Sequence, residues 1–488
     1  MREIDVRQIF MRCMVGGLVI LGTGSGSSKA MAMQPDRADV EAEVQILTRG
    51  PVHEAFAETI LFDPEPDVVV TRAVPDSIEE LPPDQRPEGD NVTWIPGYWA
   101  WDDDRNDFLW VSGVWRALPP GRQWMSGYWG RSSRGSQWTS GYWADAELTE
   151  IEYLPEPPDS VEAGPNIQAP SADYIWIPGC WVWHHGGYAW RPGYWERAES
   201  DWNWVPDHYV SAPRGYVFVD GYWDYSVSRR GVLFAPVYFD PLVSTRAGFR
   251  YSPATVIDLG VFNDHLFLRS RSRHYYFGDY YAADYRDAGF YSRFSFQSSG
   301  RGYDPIYAHQ RWQHRENHDW ERHVEVDFQY RRDHEDARPP RTLTLQIALG
   351  ANAVKSRERG LVVATSLDRL TKSQDGPVRF QRVEPEERRE IVQRKQAVQS
   401  FREERQKREV KVVDSSDDEP AKEFAPTRVR ISKSPIAARR ASEFAKDRAP
   451  PKVQKAPAPD LKVKPNPRKN DGKRPVLKAE PKDRGGRP

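Results

Sequence analysis

A six-residue motif of the form W-x-x-G-x-W recurs through the middle of this 488-residue chain. Successive copies begin 16, 14, 14, 38, 14, 14, 14 and 16 residues apart, which gives two blocks separated by a longer spacer. Because a fixed period is typical of repeated structural units, this motif limits the fold more than any other feature. The copies occupy residues 94–99, 110–115, 124–129, 138–143, 176–181 and 190–195, followed by degenerate copies at 204–209, 218–223 and 234–239.

Strand-favouring residues surround each motif, and turn-forming residues separate the copies. Segment 131–135 combines serine with glycine, and segment 184–187 contains two glycines. We therefore predict one strand and one hairpin turn for each 14-residue unit, so that successive units form an antiparallel meander.

The centre of the motif has two interpretations. Proline followed by glycine suits a type II turn, which would place Trp94 and Trp99 opposite each other as a cross-strand pair. Alternatively, the strand continues through the motif and the glycine marks a bulge or bend. We expect a bend or a turn at this position.

The aromatic residues of the motifs are either buried in a hydrophobic core or exposed on the surface. Aliphatic residues are scarce between positions 91 and 145, so large rings must supply the buried apolar area there. We expect most of them to be core, and the alternative is a row of exposed indoles that stack on sugar rings. The tryptophans concerned are Trp94, Trp99, Trp110, Trp115, Trp124, Trp129, Trp138, Trp143, Trp176, Trp181, Trp190, Trp195, Trp204 and Trp223.

Residues 1–32 have the order of features of a secretory signal peptide. Arg2, Arg7 and Arg12 precede an apolar run at 14–21, and small residues end at Ala32. That run is far shorter than the roughly 20 residues that a membrane span needs. We expect an exported protein in the periplasm, the cell envelope or the extracellular space, with no transmembrane span after the signal is removed.

Composition divides the rest of the chain, and the expected fold class is mainly β. An antiparallel meander of short Trp-rich strands is followed by a small α+β unit, a charged helix and a disordered tail. The predicted segments are an acidic, Pro-rich extended lead-in (33–90), the repeat array (91–239, with blocks 91–145 and 174–239 around a linker 146–173), a Tyr- and His-rich α+β unit (240–343), a mixed segment ending in a charged helix (344–412) and a basic disordered tail (413–488).

Within the second half, local signals predict individual elements. Segments 255–259 and 265–268 resemble the two arms of a hairpin. Asp304 and Pro305 are a good N-cap and first residue for a helix that runs through Trp312 and Trp320. Segment 384–410 has dense alternating charge and predicts a solvated helix supported by i,i+4 ion pairs.

Residues with evident chemistry are few. His314 and His318 are four residues apart on the predicted helix, so both imidazoles can reach one metal ion, although no third ligand is evident beside them. We expect a solvated helix face and no metal site, with these two histidines as the only candidate ligands. No motif of a serine hydrolase, a phosphate loop or a dinucleotide-binding turn occurs after the signal segment. We expect no catalytic residue, no cofactor and no enzymatic activity.

The charge of the chain is distributed unevenly. Residues 421–488 contain 20 Lys and Arg against 7 Asp and Glu, a net charge of +13 in a chain whose total is −2. A basic tail can bind phosphate-like anions without sequence preference, and the alternative is a tail that only solubilises or spaces the protein. In an exported protein we expect envelope polyanions or glycans as partners rather than nucleic acid, and unpaired strand edges would allow self-association.

The repetition resembles the W-x-x-G-x-W repeat family (also written YXWGXW) of bacterial exported proteins, over about residues 92–223. Segments 50–57 and 82–89 look like the lead-in of related proteins from planctomycete-type bacteria. The chain departs from the family pattern at Val114, Cys180 and Asp207. The resemblance implies an envelope location and no catalytic residues. It predicts a structural, scaffolding or interaction protein of the cell envelope, or alternatively a carbohydrate- or peptidoglycan-binding module.

Overall fold

A computed structural model describes most of the chain. The predicted signal peptide lies outside the described residues, and so does much of the predicted tail. The described residues belong to one unit defined by its contacts, Glu43–Pro488. They are 44–67, 69–132, 134–269, 273–349, 360–372, 378–410, 425–438, 449–452 and 456–464.

The predicted lead-in is folded into the body of the protein. Its short strands pair with strands far away in the sequence, and Val52, Phe56 and Ile60 lie in the largest hydrophobic cluster. The segment therefore supplies core residues as well as extended backbone. Its strands are β1 Val44–Ile46, β2 Gly50–Pro51, β3 Ile60–Leu61, β4 Val69–Val70, β5 Glu79–Glu80 and β6 Gln85–Pro87.

Each motif contributes two short strands, one on either side of its central two residues. The first block contains β7 Val92–Ile95, β8 Tyr98–Asp102, β9 Asp107–Val111, β10 Val114–Ala117, β11 Arg122–Met125, β12 Tyr128–Ser132, β13 Gly135–Thr139 and β14 Tyr142–Asp145. Strand β15 Glu150–Leu154 follows within the predicted linker. The second block contains β16 Tyr174–Ile177, β17 Cys180–His184, β18 Gly187–Arg191, β19 Tyr194–Arg197, β20 Trp202–Val205, β21 His208–Ala212, β22 Gly215–Val219 and β23 Tyr222–Tyr225.

The motifs fold in twos. The inner strands β8 and β9 pair across a tight turn, and the outer strands β7 and β10 pair with each other. The same arrangement occurs three more times along the chain. We call these four bent hairpins motif pair 1 (92–117), motif pair 2 (122–145), motif pair 3 (174–197) and motif pair 4 (202–225).

This pairing confirms a mainly β, antiparallel fold and corrects its detail. A unit of 14 residues is not one strand of a meander, because each motif spans two strands that keep the same partner motif. Trp94 lies opposite Trp115 rather than Trp99, so of the two interpretations the type II turn does not hold, and the strand bends without reversing. The bend keeps the two motifs in register along the whole hairpin.

The remaining strands connect the motif pairs to the rest of the chain. Strand β15 lies between motif pair 4 and a strand of the predicted tail. The strands that follow motif pair 4 are β24 Gly231–Leu233, β25 Val237–Phe239, β26 Arg250–Tyr251, β27 Thr255–Ile257, β28 Leu266–Arg269, β29 Tyr275–Phe277, β30 Phe290–Ser292, β31 Gly302–Tyr303, β32 Ala364–Ser366, β33 Phe380–Arg382 and β34 Thr427–Arg430.

Nine α-helices occur among the described residues, most of them short. They are α1 Pro241–Ser244, α2 Leu259–Phe262, α3 Ala283–Asp287, α4 Arg293–Ser298, α5 Pro305–Gln313, α6 Trp320–Asp333, α7 Leu343–Ala348, α8 Leu367–Lys372 and α9 Pro385–Glu409. Three 3₁₀ turns accompany them, at Val227–Arg229, Asn263–His265 and Glu335–Ala337.

Two predictions in this half were wrong in part. The predicted hairpin does not form, because β27 pairs with β32 and β28 pairs with β29 and β30, while α2 lies between them. The helix predicted from Asp304 does begin at Pro305, and the Asp304 carboxylate accepts from the backbone N–H of Tyr307 at 3.0 Å. It ends at Gln313, so Trp320 begins a separate helix.

The charged helix and the tail both pack on the β structure. Helix α9 is as long as predicted, but Val398, Phe401 and Arg405 are buried, so one side of it is not solvated. In the tail, β34 pairs with β15 and Ile436 is buried. The prediction of disorder therefore does not hold for residues 425–438, where apolar residues alternate with charged ones. Residues 411–424, 439–448, 453–455 and 465–488 lie outside the described part.

Candidate functional site

The bend of each motif pair explains why the motif needs both glycine and tryptophan. A Cβ atom added at Gly97 would lie 2.7 Å from Nε1 of Trp110 in the facing motif. A Cβ atom at Gly113 would lie 2.4 Å from the Trp94 ring. The first tryptophan of each motif thus packs on the glycine of the other. The same reciprocal contact occurs in motif pairs 2 and 3, and Gly221 repeats it in motif pair 4.

Facing tryptophans form cross-strand ring pairs on both sides of the bend. The ring centroids are 5.0 to 5.5 Å apart, mostly in edge-to-face orientations. Such contacts are worth about 0.5–1.5 kcal/mol each beyond the area they bury. The pairs are Trp94–Trp115, Trp99–Trp110, Trp124–Trp143, Trp129–Trp138, Trp176–Trp195, Trp181–Trp190 and Trp204–Trp223.

A carboxylate lies at each bend and accepts a hydrogen bond from at least one motif glycine N–H. At motif pair 1, Glu80 accepts from Gly97 at 2.8 Å and from Gly113 at 2.9 Å. It also accepts from the indole N–H of Trp110 at 3.0 Å. Glu80 is 1% exposed, and its burial raises the pKa of the carboxyl while the N–H donors oppose that shift. Charged acceptors of this kind form strong hydrogen bonds in a buried site.

The other motif pairs obtain this carboxylate from different places. Glu54, in the lead-in, accepts from the Trp138 indole and from Gly141 of motif pair 2. Glu162, before motif pair 3, accepts from Trp176 and Gly179. In motif pair 4 the motif glycine is replaced by Asp207, whose own carboxylate accepts from Gly221 at 2.6 Å. The departure from the motif at that position therefore supplies the missing acceptor.

Sequence reasoning missed these carboxylates, although a signal existed for two of them. Glu80 and Glu162 each stand 14 residues before the first tryptophan of a block, which continues the period of the repeat. Glu54 has no such spacing.

Helix α9 contacts the bends of motif pairs 1 and 2, and at the first of them Arg402 donates to the carbonyl oxygens of Pro96 and Gly97 at 3.5 Å. Arg405 donates to the carbonyl oxygens of Met125, Ser126 and Ser140, at 3.0 to 3.2 Å. Its guanidinium also pairs with Glu409 at 2.8 Å, and both side chains are 0% exposed. The predicted i,i+4 ion pair is thus present, but it is buried against motif pair 2.

Most of the motif rings are core. Of the fourteen tryptophans considered, eleven are buried and three are half-buried among the described residues. The half-buried rings are Trp129, Trp176 and Trp195.

Trp176 and Trp195 line a cleft beside motif pair 3. Its volume is about 610 Å³, and its opposite wall is formed by α5, the turn after it and the start of α6. Trp312 and Trp320 line that wall and are also half-buried. We call this feature the aromatic cleft. Its volume lies in the range typical of small-molecule sites.

His314 and His318 do not share a helix, because α5 ends at Gln313. His314 is the residue that follows α5, and its ring stacks on Trp320 with centroids 4.9 Å apart. His318 lies in the turn between the helices, at the rim of the aromatic cleft. Within the described ranges, no group of three or more His, Cys, Asp or Glu side chains has the arrangement of a metal site.

A second buried polar cluster lies at the end of motif pair 2. Glu58 accepts from the backbone N–H of Trp143 at 3.0 Å and from the Tyr222 hydroxyl at 3.1 Å. Burial raises the pKa of Glu58 to about 7. Burial also lowers the pKa of His208, 3.7 Å away, to about 3.

Comparison with known families agrees with the folding unit. A family model described as WXXGXW repeat (2 copies) matches residues 89–116, 172–196 and 200–225. Each match covers one bent hairpin, namely motif pairs 1, 3 and 4. Motif pair 2 has the same fold without a match. No curated protein and no solved structure matches the chain.

The matches identify a WXXGXW repeat-containing protein. Helices that are long and apolar enough to cross a bilayer do not occur in the described part of the chain.

Proposed function

We propose that this protein is an exported, non-catalytic structural or interaction protein of the bacterial cell envelope. The observation that carries the proposal is the closure of each motif pair by a carboxylate. Three of these carboxylates come from segments outside the hairpin that they close. The motif tryptophans are used for internal packing, so the array is suited to hold a fixed shape. The order of features in residues 1–32 supports export.

The tail supplies the second part of the proposal. Residues 465–488 contain eight Lys and Arg against three Asp and Glu. A segment of this composition attracts anionic polymers through long-range electrostatics, without a defined binding site. The folded body would serve as the scaffold and the tail as a loose tether to envelope polyanions.

Glycan binding is the second candidate function, and only one region favours it. A displayed row of indoles would require exposed rings along the array, whereas the rings of motif pairs 1 and 4 named here are buried. Motif pair 3 differs, since its outer rings border a cleft. The glycan-binding candidate therefore belongs to motif pair 3.

Export is tested by expressing the full chain in a Gram-negative host and fractionating the cells. We expect a mature chain that begins near Met33 in the envelope or periplasmic fraction. Leu18→Arg, in the apolar run, should keep the precursor in the cytoplasm. A full-length wild-type chain in the cytoplasm would contradict the proposal.

The tether is tested with purified cell-wall sacculi and with anionic polymer beads. We expect the chain without residues 465–488 to bind more weakly than the full chain, and the difference to vanish at high salt. Equal binding of both chains at low salt would contradict a tether in the tail.

A further inference from the structure

Motif pair 3 differs from the others in its outer ring pair. The outer rings are 2% and 1% exposed in motif pair 1, 1% and 1% in motif pair 2, and 3% and 4% in motif pair 4. The corresponding rings, Trp176 and Trp195, are half-buried. Their position along the hairpin is the same, so the difference comes from what covers them. At motif pair 3 that place is the aromatic cleft.

Nothing in the local fold requires these rings to be partly open. Trp176 packs on Gly193 and pairs with Trp195 at 5.3 Å, as in the other hairpins. The Trp195 indole donates to the carbonyl of Ile167 at 3.0 Å. The rings are therefore held in place on a rigid hairpin while one side remains accessible.

The opposite wall is also built from ordered rings. Trp320 is stacked on His314, and the Arg315 guanidinium lies 4.8 Å from the Trp312 ring centroid. The Nε1 atom of Trp312 is buried and donates no hydrogen bond within the described part of the chain. The wall therefore presents the faces of its rings to the cleft, while this indole nitrogen is turned away from solvent.

The charges of the cleft cancel. Arg311 and Arg315 are matched in number by Glu162 and Glu321. These groups are already engaged, because Arg311 pairs with Glu321 at 2.9 Å and Glu162 accepts from Trp176. The cleft therefore has no net charge with which to select an ionic ligand. Its other polar residues, such as Asn317 and Gln297, are neutral hydrogen-bonding groups.

We propose that the aromatic cleft binds an uncharged oligosaccharide. Indole rings provide flat apolar area for the C–H faces of sugar rings, and the neutral amides at the rim can bond to hydroxyl groups. Ordered half-buried rings lose little conformational freedom on binding, which favours affinity. This inference rests on the interaction role proposed for the protein, and it can fail while export and scaffolding stand.

The test is a titration of the purified full-length protein with chitotetraose and cellotetraose, both uncharged. Tetragalacturonate serves as an anionic probe and decaproline as a peptide probe. We expect saturable binding of at least one neutral tetrasaccharide. Calorimetry measures the binding, and the bound sugar should protect tryptophan emission from quenching by acrylamide. Tighter binding of tetragalacturonate or decaproline than of both neutral sugars would overturn the proposal, and so would no binding of either neutral sugar.

Matched variants locate the site. Trp195→Ala should lower the association constant about tenfold, because ring residues in such sites dominate binding. Trp129→Ala is the control, since Trp129 is also half-buried but belongs to motif pair 2 and does not line the cleft. Equal losses in both variants would overturn the assignment.

A third variant guards against a folding defect in Trp195→Ala. Asn317 and His318 are exposed at the rim, so Asn317→Ala with His318→Ala should leave the circular dichroism spectrum unchanged. We expect this double variant to lower the association constant for the neutral tetrasaccharide severalfold. Unchanged affinity in the double variant, together with a misfolded Trp195→Ala, would place the site elsewhere and overturn the proposal.

Discussion

Motif pairs 2 and 3 have the same strand pattern and the same ring contacts, yet their outer rings have different surroundings. Trp124 and Trp143 are 1% exposed, whereas Trp176 and Trp195 are half-buried. Ring centroids in the two pairs are 5.0 and 5.3 Å apart. The motif therefore determines the bent hairpin, and it does not determine whether the rings become core or surface.

Distant segments make the difference. In motif pair 2, Arg405 bonds to the backbone of both motifs, and the backbone N–H of Trp124 donates to Ile436 O at 2.8 Å. Inner strand β13 also pairs with β4 of the lead-in. The strands of motif pair 3 pair only with each other in the described part of the chain, apart from an isolated bridge between Trp190 and Asp460. A repeat unit of this kind can thus serve as core or as binding surface, depending on its neighbours.

The largest expected effect comes from removing the cation that covers motif pair 2. Arg405→Met removes the cation paired with the buried carboxylate of Glu409, which keeps the hydroxyl donors of Tyr128 and Tyr153. It also removes the donor to three carbonyl groups. We expect the free energy of unfolding to fall by about 3–5 kcal/mol, which is typical for one half of a buried ion pair. Urea unfolding followed by tryptophan emission measures this.

Arg389 on the same helix is the control. It pairs with Glu386, and both side chains are more than two-thirds exposed. Arg389→Met should change the free energy of unfolding by less than about 0.5 kcal/mol. A small loss in Arg405→Met would mean that motif pair 2 does not depend on α9.

The next effect depends on pH and concerns Glu58, whose carboxylate accepts a hydrogen bond from the backbone N–H of Trp143 in motif pair 2. Burial raises the folded-state pKa of Glu58 to about 7, so its contribution to stability is present in acid and is lost as the pH rises through 7. We expect Glu58→Gln to gain stability relative to the wild type between about pH 5 and about pH 8, by up to about 3 kcal/mol.

The difference between the two proteins isolates Glu58. His53 and His208 have pKa values lowered to about 3 by burial, so both proteins lose stability equally as the pH falls below about 6.5. Unfolding curves at both pH values give the comparison. A constant difference between wild type and variant would show that Glu58 does not change its charge in this range.

The glycines at the bends give a smaller but direct comparison of the two hairpins. A Cβ atom at Gly141 would lie 2.4 Å from the Trp124 ring, and one at Gly193 would lie 2.3 Å from the Trp176 ring. The clashes are alike, but Trp124 is enclosed and Trp176 borders a cleft. We expect Gly141→Ala to cost about 2–3 kcal/mol and Gly193→Ala about 1 kcal/mol, within the range for overpacking. Equal costs, measured by urea unfolding, would contradict the difference in freedom between the two rings.

Sequence alone predicts the parts of this fold that depend on neighbouring residues. Aromatic and β-branched residues around each motif predict the short strands. Asp304 and Pro305 predict the start of α5, because capping acts within one turn. The charge pattern of segment 384–410 predicts a helix for the same reason.

Pairing could not be predicted in the same way. Whether Trp94 faces Trp99 or Trp115 depends on the contact between Gly113 and the Trp94 ring, which exists only after two motifs have come together. The sequence also did not predict the buried side of α9. Arg405 and Glu409 lie in a densely charged segment, and their burial depends on contacts with distant residues.

The aromatic cleft could not be found from the motif either, because Trp176 and Trp124 occupy equivalent positions in equivalent copies. Only remote segments distinguish them. Helix α9, which covers motif pair 2, and helix α5, which faces motif pair 3, each lie more than a hundred residues further along the chain than the motif pair they contact. A period in the sequence therefore locates the units but not their roles.

The smallest expected effect concerns the carboxylate of motif pair 3. Glu162 is half-buried, so the solvent can replace part of what its charge supplies to Trp176 and Gly179. We expect Glu162→Gln to lower the free energy of unfolding by about 0.5–1.5 kcal/mol, the range of an ordinary hydrogen bond. Glu54→Gln in motif pair 2 should cost about 1.5–3 kcal/mol, because Glu54 is 4% exposed and no water substitutes for its charge. Glu152→Gln, at an exposed pair with Arg428, is the neutral control for both measurements. If Glu162→Gln costs as much as Glu54→Gln, the bend of motif pair 3 is as enclosed as that of motif pair 2, and only its outer rings are open to the cleft.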